Sequence, residues 1–422
     1  MTRTLIYDTS QLVTCGQSGP DVRPGSPKIG DNFRRLELIK QGAMVVKDER
    51  IEWVGPESEI SSQYPDRRFD ITVAAKGGVV TPGLVDPHTH PIFAATREHE
   101  FYLRNSGKSY MEIAAAGGGI RNSVRKTRAA SFDQLCQNAV RFLDQMLKSG
   151  TTTIEAKSGY GLSTAAELKS LEVIHWLNDN HSIDLIPTFM GAHEFPDEYR
   201  DNREGYVRLL IDEMIPEVAH SKLAVFCDIF TEAGVFDLDQ SRRIMTAAKG
   251  HGLKLRFHAE ELKSIGGAEL AAEMGAISAD HLVHITDTGI AKMAAAGTIA
   301  ILLPATTFFL GHKEYAPARK MIDQGVAVAL ATDFNPGSSC TTSLPAVMTI
   351  AAIYLKITAE EIFNAVTFNS ACSLGLQKEI GSLQPGKLAD FVIWDVENYE
   401  QIPYLFAQNP VRSVFKRGRQ VA

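Results

Sequence analysis

His88, Thr89 and His90 form an H-x-H at the end of an apolar, β-branched run, GVVTPGLVDPHTH (residues 78–90). Side chains two apart on an extended strand point the same way, so both imidazoles can grip one ion. The pattern alone is weak, because surface histidines also fall two apart. A third imidazole, His258, ends the strand-like LKLRFHAE, and Asp333 follows the apolar run VAVALAT. Taken singly, His258 reads equally as a satisfied core histidine and Asp333 as a helix N-cap. Taken together, three imidazoles and one carboxylate suit Zn²⁺ or a similar divalent ion with a position left for water. Such an ion lowers the pKa of its water from ~15.7 to about 7, so the chemistry is hydrolysis at neutral pH. Protons must then move and an oxyanion must be held. His281, in AISADHL, and the pair Glu260–Glu261 are the candidates. Alternation places Glu260 on the side of His258 if the strand continues that far, and Glu261 in a loop facing the cavity. Asp333 and His281 are assigned to proton handling, and Glu261 to holding the substrate.

These residues share a position in a repeating pattern. Short β-branched runs at 151–158, 184–193, 224–230 and 253–260 alternate with amphipathic segments near 164–180, 203–220, 238–252 and 265–275. AISADHL, TIAILLP and VAVALATD continue the rhythm, and residues 78–90 precede it, which makes eight strand candidates. Repeated βα units imply parallel strands, and eight of them imply a closed (β/α)₈ barrel. In such a barrel the catalytic groups come from the C-terminal strand ends. Those ends carry His88, His90, Lys157, His193, Asp228, His258, His281 and Asp333. An open doubly wound sheet is the competing architecture. It would bring a Gly-rich phosphate turn after its first strand, whereas Gly117–Gly119 sits in a long insertion that reads as a flexible loop or a lid.

Both ends of the chain differ from the middle. GAMVVKDERIEWVG (residues 42–55) reads as a hairpin, residues 21–32 as a Pro/Gly-rich loop, and GSLQPGKLADFVIWD (residues 381–395) as a turn leading into a strand. The expected organisation is a small β-sandwich built from residues 1–80 and 380–422 around a barrel of residues 81–379. At 422 residues, 44% hydrophobic and 22% charged, the composition excludes disordered, collagenous and coiled-coil chains. A net charge of −7 argues against nucleic acid as a partner. Five scattered cysteines without a C-x-x-C read as reduced thiols. No apolar run has the length of a secretory signal core or a membrane helix, so the expectation is a cytoplasmic protein acting on a small molecule.

TPGLVDPHTH, HAE, ADH and ATDFNPGS together resemble the metal-dependent amidohydrolase superfamily, and GSLQPGKLADFVIWD resembles its accessory β-sandwich. Several members place a carbamylated lysine on the fourth strand to bridge two metals. The fourth run here, AVFCDIF, has no lysine and Lys157 lies on the second, so the match is to the mononuclear subtype. Longer stretches, among them HTHPIFAATREHEFYLR, GGGIR, EAKSGYGL, PTFMGAHEFP and ALATDFNPGSS, resemble the imidazolonepropionase family from about residue 40 onwards. That resemblance implies hydrolysis of 4-imidazolone-5-propanoate to N-formimidoyl-L-glutamate, one Zn or Fe ion per chain, and a homodimer. It also implies His88, His90, His258 and Asp333 as metal ligands, with Arg97, Tyr160, His193, Glu261, Asn335, Gly337 and Ser338 contacting the substrate.

The chemistry of those residues fits. Arg97 offers a fork for a propionate tail. Tyr160, flanked by Gly159 and Gly161, can donate its hydroxyl, and His193 can bond a ring oxygen. Asn335, Gly337 and Ser338 form a turn whose N–H groups could hold a carboxylate, and Tyr110 is a weaker candidate for the same pocket. Two rivals stay open. An aminohydrolase of a nucleobase or other heterocycle would not need Arg97, and a metal-free scaffold would have lost ligands that are all present.

Overall fold

A computed structural model describes residues 2–17, 25–66, 68–108, 112 and 118–422. Tyr110, Gly117 and residues 21–24 of the expected loop lie outside the described residues.

Alternating apolar residues near both ends build one mixed sheet. Its strands are β1 (Arg3–Val13), β2 (Leu38–Lys40), β3 (Gly42–Lys47), β4 (Arg50–Pro56) and β5 (Ile71–Pro82) from the first part of the chain. Residues after the barrel add β14 (Phe391–Trp394), β15 (Val411–Lys416) and β16 (Arg419–Gln420). The order is β16-β15-β14-β5-β1-β3-β4, with β2 also paired to β1. Period-two alternation decides what each face buries. Met44 and Val46 join a core with Ile51, Phe391 and Phe415, whereas Val45 between them joins Leu5 and Ile60. Strands far apart in the order thus share one core, so the sheet curls over itself. Ile51 N–H to Lys387 O (2.9 Å) and Ala389 N–H to Glu49 O (2.9 Å) tie the curl.

The middle of the chain forms eight parallel strands in sequence order: β6 (Leu84–Asp86), β7 (Thr151–Lys157), β8 (Asp184–Ala192), β9 (Phe226–Thr231), β10 (Lys254–Ala259), β11 (Ser278–His281), β12 (Ile299–Leu302) and β13 (Val328–Leu330). Most of their residues are buried, and several of the strands, such as Ile299–Leu302 and Val328–Leu330, read as unbroken apolar runs. Helices Thr164–Asn180, Leu238–Gly250 and Gly267–Met274 follow their strands where the amphipathic segments place them. Leu238–Gly250 starts at a capping box in which Asp237 accepts from Gln240 N–H at 2.9 Å.

One run divides. Residues 78–90, expected as a single strand, serve two sheets: Val79–Pro82 pair with β14, and only Leu84–Asp86 pair in the barrel. His88 and His90 therefore lie beyond the end of β6. They remain extended because Thr89 bridges Phe334 in parallel. His90 N–H donates to Phe334 O (2.8 Å) and Asp333 N–H to His88 O (3.1 Å). Asp86 holds the same seam, taking Thr332 N–H at 3.1 Å and Thr332 Oγ1 at 2.6 Å. These bonds join the first strand's continuation to the last, which closes the barrel and sets Asp333 beside the H-x-H.

Candidate active site and metal centre

The barrel brings His88, His90, His258 and Asp333 together. His90 Nε2 lies 3.4 Å from His258 Nε2 and 3.6 Å from Asp333 Oδ1, and His88 Nε2 lies 3.5 Å from the same oxygen. A tetrahedral ion with bonds of ~2.0–2.1 Å separates its ligand atoms by about 3.3 Å, so this spacing fits one ion. The chemistry of the donors agrees. His88 Nε2 is buried without a hydrogen-bond partner, as a nitrogen reserved for a ligand would be. His88, His258 and His281 also offer nitrogens within 4.8 Å of one another, which sets His281 at the edge of the same centre.

Two of the three imidazoles, His88 and His258, are fixed from behind, whereas His90 Nδ1 is buried without a hydrogen-bond partner. Asp280 Oδ2 lies 2.6 Å from His88 Nδ1, and Asp228 Oδ1 lies 3.1 Å from His258 Nδ1. A carboxylate only accepts, so both histidines carry their proton on Nδ1 and present a bare Nε2. Thr306 Oγ1 donates to Asp333 Oδ2 at 2.6 Å, leaving Oδ1 for the histidines. Burial holds the pKa values of His88, His90 and His281 well below the ordinary imidazole value. Neutral imidazoles are the metal-binding form. Burial pushes the Asp333 carboxyl up to about 6, opposed by the Thr306 hydrogen bond.

Backbone strain gathers here as well. Glu260, His281 and Asp333 have φ of 58°, 74° and 50°. Left-handed conformations are uncommon for such residues and cluster at functional sites. At Glu260 the turn ends the strand alternation. β10 stops at Ala259, and the Glu260 carboxylate accepts Gly266 N–H at 2.9 Å instead of following His258. Glu261 does face the centre, with Oε2 3.6 Å from His281 Nε2. Burial, with Asp333 and Glu232 nearby, pushes its carboxyl up to about 8. A cavity of about 350 Å³ opens beside Glu261, His281 and Thr306.

The remaining expected residues surround this centre. The His193 ring stacks on His90 with centroids 5.0 Å apart, and the Tyr160 ring lies 5.3 Å from His193. Gly159, at φ 106°, lets the loop pass under His193, since a Cβ there would meet Nδ1 at 3.0 Å. His193 Nδ1–H donates to Gly159 O at 2.9 Å, and burial pushes its pKa down to about 3. Its free Nε2 is consequently an acceptor.

A correction concerns the turn after Asp333. Gly337 and Ser338 N–H both donate to Asn335 Oδ1 at 2.8 Å, so neither is free to hold a carboxylate. Gly337 instead makes room for Arg97, whose Nη1 would lie 2.2 Å from a Cβ at that position. Arg97 gives Nε and Nη2 to Glu100 Oε2 at 2.9 and 2.6 Å, and the same oxygen takes Gly119 N–H at 3.1 Å. Thr306, Asp280 and Glu100 carry no sequence signal of their own, because each acts through a partner distant in the chain. Asp228, expected at a strand end, stands in the middle of β9.

A closed eight-stranded parallel barrel with an N₃O donor set at its mouth, beside a curled sheet from both termini, defines a class of metal-dependent hydrolase. The amidohydrolase family matches residues 79–421, and the chain belongs to it. Its place within that family comes from full-length relatives, which make it a member of the imidazolonepropionases. Imidazolonepropionase of Shouchella clausii is 49% identical over 94% of this chain and 88% of its own length. That of Alkaliphilus metalliredigens is 47% identical over 100% of this chain and 98% of its own length. Among solved structures, Escherichia coli guanine deaminase matches 100% of this chain and 99% of its own with a TM-score of 0.74 at 17% identity. That likeness speaks to the fold alone.

Proposed function

We propose that the chain hydrolyses 4-imidazolone-5-propanoate to N-formimidoyl-L-glutamate. The observation that carries the reading is the convergence of His88, His90, His258 and Asp333 at ligand spacing. One water adds across the amide bond of the ring. The carbonyl carbon takes the hydroxyl and becomes a carboxylate, and the released nitrogen takes the proton. His88, His90, His258 and Asp333 would hold a Zn or Fe ion, which when bound would supply Lewis acidity and lower the pKa of water toward about 7. Asp333 accepts a proton and His281 holds or passes it. Arg97 pairs with the propionate, and Tyr160, His193 and Glu261 fix the ring through hydroxyl, imidazole and carboxyl. Asn335 and Ser338 brace the turn that carries Gly337. No helix among the described residues is long and apolar enough to cross a membrane. A homodimeric, cytoplasmic enzyme is part of the proposal and rests on the family resemblance and the reduced thiols.

The test is Arg97→Ala. A charge-assisted hydrogen bond is worth roughly 1.5–3 kcal/mol, so KM for 4-imidazolone-5-propanoate should rise on the order of ten- to a hundredfold. The KM for tail-less 4-imidazolone should not move. An unchanged KM for the acid would turn the reading toward a carboxylate-free heterocycle.

A further inference from the structure

Lys157 stands in EAKSGYGL, the stretch whose glycines and tyrosine the site absorbs while its lysine has no role. It is fully buried, an expensive place for an ammonium without partners. Its Nζ lies 2.7 Å from Glu155 Oε1 and 2.7 Å from Asp228 Oδ2, both also fully buried. Each carboxylate uses its other oxygen on the metal centre. Asp228 Oδ1 takes the Nδ1–H of His258 at 3.1 Å. Glu155 Oε2 takes the backbone N–H of Thr89, the residue between His88 and His90, at 3.3 Å. The β7 backbone grips the same point, with Lys157 N–H on Thr89 O (3.0 Å) and Thr89 Oγ1 on Glu155 O (2.6 Å).

We infer that Lys157 is a positioning residue that locks all three ligand histidines to one another: its ammonium bridges the carboxylate orienting His258 and the carboxylate anchoring the His88–His90 segment. Lys157 itself touches no reacting atom. The alternation of β7 makes the arrangement possible, since Glu155 and Lys157 point to the same side, into the barrel. The lysine then reaches over β8 to Asp228. Without the ammonium, Glu155 and Asp228 would face each other with like charge, with the Arg256 guanidinium 3.9 Å from Glu155 Oε1 as a more distant cation. They would separate or take up a proton, and either change frees His258 and the H-x-H to move independently.

The inference rests on the reading of these residues as a metal centre, and the experiment separates the two. Metal-stripped protein is titrated with Zn²⁺ against a chromophoric chelator. Co²⁺-loaded protein is examined by d–d absorption, which reports the geometry around the ion. Lys157→Met is compared with the parent, with Lys157→Arg, and with the double variant Lys157→Met/Glu155→Gln. The double variant removes one charge of each sign, so the network keeps its net charge and the fold is spared like-charge repulsion. The apo melting temperature of each variant is measured alongside. Changes to the partners behind metal ligands cost about 10–100-fold in affinity, and that loss is expected for Lys157→Met and the double variant, with an altered Co²⁺ spectrum. Lys157→Arg should recover part of the affinity, because a guanidinium can bridge the same two carboxylates. If Lys157→Met does not fold, the double variant decides. A folded variant without the lysine whose Zn²⁺ affinity stays within twofold of the parent and whose Co²⁺ spectrum is unchanged overturns the inference. A parent that binds no metal overturns the metal centre itself.

Discussion

Gly337→Ala is a one-methyl test of how the site holds Arg97. The backbone at Gly337 lies outside the left-handed region, so alanine is allowed there on conformational grounds. The obstacle is the guanidinium. A Cβ would stand 2.2 Å from Arg97 Nη1 and 2.7 Å from Cζ, against ordinary contacts of 3.4–4 Å. The guanidinium must therefore retreat by roughly 1 Å, and it is already tethered to Glu100 by contacts of 2.6 and 2.9 Å. Overpacking costs ~1–3 kcal/mol in a rigid core, but here the yielding group is the end of a flexible side chain, so the fold should keep most of its stability. Substrate binding should suffer instead. Losing part of a charge-assisted interaction of ~1.5–3 kcal/mol predicts a rise in KM for 4-imidazolone-5-propanoate of about tenfold. Steady-state kinetics on Gly337→Ala, Arg97→Ala and the double variant close the cycle. The Gly337→Ala penalty should vanish in the Arg97→Ala background, since the two act through one contact. An equal penalty in both backgrounds would mean that Gly337 affects binding without acting through Arg97.

Two further expectations concern groups around the centre. Thr306→Val removes the donor to Asp333 Oδ2. Leaving that buried oxygen unpaired costs ~1–3 kcal/mol, so kcat should fall about tenfold or more and Thr306→Ser should restore it. An unchanged kcat in Thr306→Val would release Thr306 from the account. Glu261 has its carboxyl raised from 4.5 to about 8 by burial, with Asp333 and Glu232 adding. Between those values the folded metal-free chain binds more protons than the unfolded one. This contribution to stability is thus full below pH 4.5 and is lost as pH rises through 8. Denaturant unfolding of metal-stripped Glu261→Gln should show a flatter pH profile across that window, and coincident profiles would contradict it.

The barrel strands were legible because most of their residues are buried and helices follow most of them. The candidate ligands could be singled out because the fold delivers the ends of its strands to one mouth. What escaped the sequence depends on contacts without periodicity. The division of residues 78–90 between two sheets leaves the apolar pattern unbroken, so hydrophobicity alone cannot place it. The turn at Glu260 breaks alternation just where alternation was being used to aim a carboxylate. The N–H groups of Gly337 and Ser338 are spent on Asn335, and the proton of His193 on Gly159, contacts that no sequence pattern encodes. Lys157 was visible as a strand-end lysine, but its two partners were not.

The central claim is that this chain opens the imidazolone ring by adding one water at the centre held by His88, His90, His258 and Asp333. Mass spectrometry of metal-replete protein mixed with freshly made 4-imidazolone-5-propanoate tests it directly, with His258→Ala alongside. The expected product from the parent is one water heavier, formiminoglutamate, with none from the variant. Intact substrate in the presence of metal-loaded parent protein, or equal product from His258→Ala, would contradict it.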